Sequence, residues 1–101
     1  MAIPPGPVIG EFMKDNAKFD ELVTQAKQQI DLLLGDNSVP RNVKIALDEA
    51  EKLLMKQEDS YTVRASSAIY KIDEVSNDVN LPPYARTVIW NLLSLLESIK
   101  E

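Results

Sequence analysis

Three cations, Arg41, Lys44 and Arg86, are the first residues in this chain whose placement asks for a chemical reason. They fall just after Pro40 and Pro82, where two helices are expected to start. Positive side chains in a first turn oppose the helix macrodipole, so local helix stability does not explain them. Should both N-termini lie at one end of the molecule, unpaired N–H groups beside three cations would suit a phosphate group or an acidic segment. The simpler reading is that Asp36 and Asp78, in the turns just upstream, neutralise the cations and pin the turns. Trp90 and Leu93 form a second constellation, off the main apolar stripe of the last helix. Arg86 precedes Trp90 by four residues, so its guanidinium can lie over the indole. That flank suits an interface with a second copy or another protein. Equally, it could pack inward against the first helix or the N-terminal arm. Arg64, with Asp73 and Glu74 on the same helix, is expected at the bundle edge, ion-paired to a neighbouring helix.

Composition removes most catalytic chemistry. The chain has no histidine and no cysteine, so the usual general base near neutral pH, the commonest metal ligand and the thiol nucleophile are all missing. Ser66, Ser67 and Thr87 have no base to activate them. Asp48, Glu49, Glu51, Glu58 and Asp59 read as solvated faces and caps. They match neither the Glu-x-x-His set of a di-iron bundle nor the spacing of a hard-cation loop. No catalytic residue, metal site or cofactor is expected. An enzyme working through carboxylates alone would need a deep polar pocket and a carboxyl of strongly raised pKa. Acids and bases are interleaved around a net charge of −5, which gives no basic stripe for duplex DNA. No run approaches the roughly 20 apolar residues of a membrane span, the start does not read as a secretion signal, and lack of cysteine suits the cytoplasm.

The elements that must hold these residues are helices. At 45% apolar and 27% charged, 101 residues suit one ordered domain with a modest core. Residues 1–12 hold three of the six prolines and two of the three glycines. They are therefore expected to be a non-helical, flexible arm, native or left by cloning, ahead of a bundle domain over 13–101. A first helix is expected from Asp15 or Asn16 to Leu34, ended by a left-handed Gly35. The second should run from about Val39 to Lys56 with Pro40 in its first turn, and Asp48 and Lys52 should pair on its wet face. Asp59 or Ser60 caps the third, which ends at Ser76-Asn77-Asp78 with Asn77 left-handed. The fourth, Leu81 to Ile99, is apolar over most of its circumference and must be covered on several sides.

The apolar seams repeat. Positions 19, 23, 26, 30, 33 and 43, 47, 50, 54 become 61, 65, 68, 72, 75 and 85, 89, 92, 96 on adding 42. Turn residues match as well: Gly35 with Asn77, Asp36 with Asp78, Pro40 with Pro82. Equal hairpin lengths would align the seams automatically; shared Ile-Asp and Asp-then-Pro at fixed offsets favour a duplicated helix-turn-helix unit. One hairpin cannot cover its own stripe. Two together make an all-α, up-and-down four-helix bundle, with a short HEAT-like solenoid as the alternative.

Three stretches, Val39-Pro40-Arg41-Asn42-Val43, Ile72-Asp73-Glu74-Val75-Ser76-Asn77-Asp78, and Tyr84-Ala85-Arg86-Thr87 with Ile89-Trp90, resemble the small archaeal proteins grouped as uncharacterised protein family 0147. The likeness spans roughly Asn16 to Ile99 and implies a cytosolic helical bundle without an established activity or assigned site residues. The family usually has a proline at Val79 and a histidine at Tyr84, so a catalytic histidine there is ruled out for this chain. The expected role is a non-enzymatic interaction or assembly module using the flank of the last helix, with another protein or a second copy as partner. The alternative is binding of an anion or RNA phosphate at the end carrying Arg41 and Arg86.

Overall fold

The computed structural model describes residues 6–100, with side chains from Ala17 onward. Four helices follow one another: α1 (Gly6–Leu34), α2 (Arg41–Leu54), α3 (Tyr61–Asp73) and α4 (Pro83–Glu97). The described residues contain no strand. α1 starts at Gly6, nine residues before the expected cap at Asp15, so the expected non-helical arm over 1–12 is corrected for its residues 6–12. Pro7 stands in the first turn, where its missing N–H has no acceptor to lose. A helix already nucleated by its packed portion also extends at one hydrogen bond per residue, which outweighs a single interior glycine. Residues 1–5 lie outside the described part.

Two helix ends also differ from expectation. No described residue has a positive φ, so neither Gly35 nor Asn77 is left-handed. α1 closes instead with an ordinary helical bond, Gly35 N–H to the Asp31 carbonyl, followed by a tight three-residue one, Asp36 N–H to that of Leu33, both at 3.1 Å. After Asp73 the chain tightens likewise, Val75 N–H reaching the Ile72 carbonyl at 3.1 Å and Ser76 N–H the Asp73 carbonyl at 3.3 Å. Three-residue closures use ordinary right-handed backbone, so no glycine is needed. Ser60 caps α3 as expected, its Oγ accepting from Val63 N–H at 3.3 Å.

Each helix packs mainly against two neighbours, in the ring α1, α2, α3, α4 and back to α1. Contact between α1 and α4 closes the bundle; a two-unit solenoid would leave those helices apart. The seams meet inside. Ile30, Leu47, Ile72 and Ile89 are all at 0% exposure, and Phe19, Tyr61 and Val75 pack partly buried at the ends of their stripes.

The 42-residue repeat holds at the level of hydrogen bonds, which equal hairpin lengths do not require. Asp36 accepts from Ser38 N–H at 2.8 Å, and Asp78 from Asn80 N–H at 2.8 Å. Val39 N–H reaches the Asp36 carbonyl, and Leu81 N–H that of Asp78, each at 3.2 Å. Pro40 and Pro82 share the same extended conformation, φ −59°, ψ 150° and φ −61°, ψ 150°. Both stand just before their helices, where a missing N–H costs nothing.

Candidate functional site

The turns Gly35–Pro40 and Glu74–Pro82 lie together at the end where α2 and α4 begin, and each hairpin reaches into the other's turn. Asn42 Nδ2 donates to Asp78 at 2.8 Å. At the equivalent position Tyr84 meets Ser38 Oγ at 3.1 Å. Ser38 already donates to Asp36 at 2.6 Å, so the tyrosine hydroxyl is the donor. Both turn carboxyls are held below the usual carboxylate range. For Asp36 the cause is the Ser38 hydroxyl first, with the Lys44 charge a lesser one; for Asp78 it is the Asn42 amide first, with the Arg86 charge behind it.

Of the three expected anion ligands, Arg41 is exposed and Lys44 half-buried. Arg86 turns into its own turn, one terminal nitrogen donating to the Asp78 carbonyl at 3.1 Å, while its buried Nε has no acceptor. That engagement draws the guanidinium to the turn and away from the expected stack on Trp90. The end is thus occupied by a closed clasp of turn carboxylates, amides and one guanidinium.

At the opposite end Arg64 departs from the expected edge position. It is 6% exposed, its Nε donating to the Leu54 carbonyl at 2.7 Å, and its guanidinium lies 4.9 Å from the centre of the Tyr61 ring. α2 ends there with unpaired carbonyls, and a cation at a helix C-terminus is doubly favoured, as donor and against the dipole. Tyr61 stacks at 5.3 Å on Phe19, its own equivalent in the first hairpin, and donates to Asp20. Neither Asp73 nor Glu74 is needed by Arg64; both are exposed.

Charged groups line the outside of the first hairpin. Lys27 pairs with Asp31 at 2.8 Å and stands 4.0 Å from Glu51 across the helix pair. Asp48 and Lys52 pair at 3.2 Å on the wet face, as expected. Burial first, and the neighbouring Asp31 carboxylate after it, push the Glu51 carboxyl up to about 7. Its Oε2 is buried without a hydrogen-bond partner. Asp31 is held down, first by the hydrogen bond from the Glu51 carboxyl and then by Lys27. No group of three or more acids able to hold a metal ion occurs among the described residues.

The second hairpin carries different residues at the same positions. Ile69 stands for Lys27, Leu93 for Glu51, Trp90 for Asp48, Val63 for Glu21 and Tyr70 for Gln28. Ile69 and Leu93 pack partly buried against the core. Trp90, Val63 and Tyr70 face solvent, at 53%, 48% and 67% exposure. Between α3 and α4 a groove of about 400 Å³ is lined by Ala65, Ile69, Leu96 and Ile99, with Ser66, Glu97 and Lys100 among its other walls. Trp90 and Leu93 are thus accompanied by further apolar side chains on the outer positions of the second hairpin. Val63, Ile69 and Tyr70 went unnoticed in the sequence because single exposed apolar residues are ordinary. Comparing non-seam positions across the repeat would have found them.

The fold and these surfaces define a small all-α bundle of two like hairpins, closed by a polar clasp at one end and carrying a lateral apolar face. The chain belongs to the uncharacterised protein family UPF0147, whose model matches residues 10–99. A relative from Methanothermobacter thermautotrophicus is 49% identical over 69 residues, 68% of each chain. One from Methanocaldococcus jannaschii is 36% identical over 81 residues, 80% of this chain and 87% of that one. Among solved structures, the crystal structure of the unknown function protein MMP1188 matches with a TM-score of 0.77 at 34% identity, covering 81% of this chain and 93% of that one. The family is archaeal in these relatives and has no assigned activity, so function has to be argued from the surfaces.

Proposed function

We propose that this protein is a non-enzymatic interaction module of the cytoplasm that binds a protein partner through the outer face of its second hairpin, centred on Trp90 and Leu93. One observation carries the reading: Lys27, Asp48 and Glu51 of the first hairpin are replaced by Ile69, Trp90 and Leu93 on a scaffold whose apolar seams and turn bonds repeat. α2 has six charged residues among 14, whereas the equivalent α4 has two among 15, Arg86 and Glu97. Interface cores are depleted in charge and enriched in Trp and Tyr, and this face has that composition. The fold does not need it, since the first hairpin packs the same seam with charges outside. No helix of the described residues is long and apolar enough to cross a membrane, in keeping with a cytoplasmic role.

Binding of an anion or RNA phosphate at the clasp is the second reading, favoured by the buried, unpaired Nε of Arg86. Affinity capture from archaeal cytosol, with and without nuclease, separates the two. The apolar-face reading expects material that survives nuclease and is lost with Trp90→Asp, which installs the first hairpin's own residue. Capture that is unchanged by Trp90→Asp, or that vanishes with nuclease, overturns it.

A further inference from the structure

Resting on that apolar-face reading, we infer that the partner is a second copy of this chain, with α4 lying antiparallel on α4 of the other copy and each Trp90 entering the other's groove. Charge selects this occupant. Each copy carries −5, so most approaches of two copies set acid against acid. The stripe Thr87, Trp90, Asn91 and Ser94 along α4 is uncharged and exposed, which lets like chains meet without that repulsion. A basic protein or a nucleic acid would find only Glu97 and Lys100 at the groove, one charge of each sign, to pair with.

Shape selects it too. A two-fold interface must hold both the knob and the hole on one patch, because the same surface serves both copies. Trp90 is the knob at 53% exposure, and the groove with a buried floor of Ala65, Leu96 and Ile99 and a rim that includes Ile69, Glu97 and Lys100 is the hole. Trp90 and Glu97 are two turns apart on α4, about 10 Å along its axis. An antiparallel pairing that sets Trp90 opposite the groove mouth at Glu97 therefore puts the two-fold axis between Leu93 and Ser94. Ser94 is small and exposed, so the two helices can approach closely there. Glu97, at the groove wall, gives the indole N–H the acceptor that a buried tryptophan needs. The first hairpin cannot do the same, since Asp48 and Lys52 stand where Trp90 and Ser94 do.

Because the chain has no cysteine, single introduced thiols report proximity without background. The full chain is expected to sediment as a dimer at high concentration. Ser94→Cys is expected to cross-link readily under mild oxidation, because its two copies lie within the reach of a disulfide. Lys52→Cys, the same position in the first hairpin, is expected not to cross-link, although its α4 interface is intact. Trp90→Asp, folded by circular dichroism because it alters an exposed site, is expected to weaken self-association by about 30-fold or more. A wild-type monomer at every concentration, or equal cross-linking at 94 and 52, overturns the second-copy inference. Nuclease-resistant capture that Trp90→Asp abolishes, seen together with a wild-type monomer, shows that the apolar face survives with a different partner.

Discussion

Lys27 and Ile69 occupy one position of the two hairpins, as do Glu51 and Leu93, and Asp48 and Trp90. Inward, the hairpins are alike: Ile30 and Ile72, Leu47 and Ile89 are all at 0% exposure. Outward, the first carries charges where the second carries Ile69, Trp90 and Leu93, while Leu32 and Ile45 of the first are themselves exposed, at 67% and 52%, where the second has Glu74 and Thr87. Burial holds most inner positions to the same chemistry, because a polar substitution there costs desolvation unless it finds a partner as Arg64 does. The outer positions are free of that constraint, and their divergence is where selection for something other than folding can be read. The same contrast recurs in the helix ends, where Arg64 secures α2 from inside the bundle and its equivalent, Leu22, does nothing comparable for α4.

Moving one residue from either hairpin into the other tests how far the likeness extends. The largest effect is expected at Arg64→Leu, which installs the residue of position 22. It removes the donor to the buried Leu54 carbonyl and the cation over Tyr61, and should lower stability by about 1–3 kcal/mol in urea denaturation. A loss confined to a few tenths would mean that water replaces the guanidinium and that α2 needs no such closure.

Glu51→Leu installs the residue of position 93. The folded Glu51 carboxyl, at about 7, lies above its ordinary 4.5, so the folded state binds its proton more tightly than the unfolded one does. Its contribution is fully present below pH 4.5 and is lost as pH rises towards about 7 and beyond. Asp31, whose value is lowered from 3.8, acts oppositely and only at acid pH. Wild-type stability is thus expected to fall between weakly acid and neutral pH, and Glu51→Leu to flatten that fall and gain about 1 kcal/mol above it. Melting curves across this range check it; a profile identical in both proteins would mean that Glu51 titrates as an ordinary surface acid.

The smallest effect is expected at Gly35→Ala. Its φ is not positive, and an added Cβ would meet the Asp31 and Leu32 carbonyls at 3.6 and 3.8 Å, ordinary contact distances. Reduced freedom of the unfolded chain should then stabilise by about 0.4–1 kcal/mol. A destabilised Gly35→Ala protein would instead restore the left-handed ending expected of a glycine after a helix.

Much of this architecture was legible in the sequence. The seam positions from Val23 to Leu33, Val43 to Leu54, Ala65 to Ile72 and Ala85 to Leu96 are the buried ones. A helical period and one dry interior leave little choice of which face turns in. Capping by Ser60 and the closing of two hairpins into a ring followed from the same local logic. The candidate surface was only half legible: Trp90 and Leu93 stood out beside a strong stripe, while Val63, Ile69 and Tyr70 did not.

Local sequence set the helices, their inward faces and the 42-residue repeat, because periodicity and turn chemistry act between residues a few positions apart. Only the tertiary structure decided that Arg64 turns inward to the Leu54 carbonyl, that Arg86 is drawn into the Asp78 turn rather than over Trp90, and that Asn42 and Tyr84 each clasp the other hairpin. Those choices join residues in different elements, where a long or branched side chain selects among partners that local sequence does not bring together.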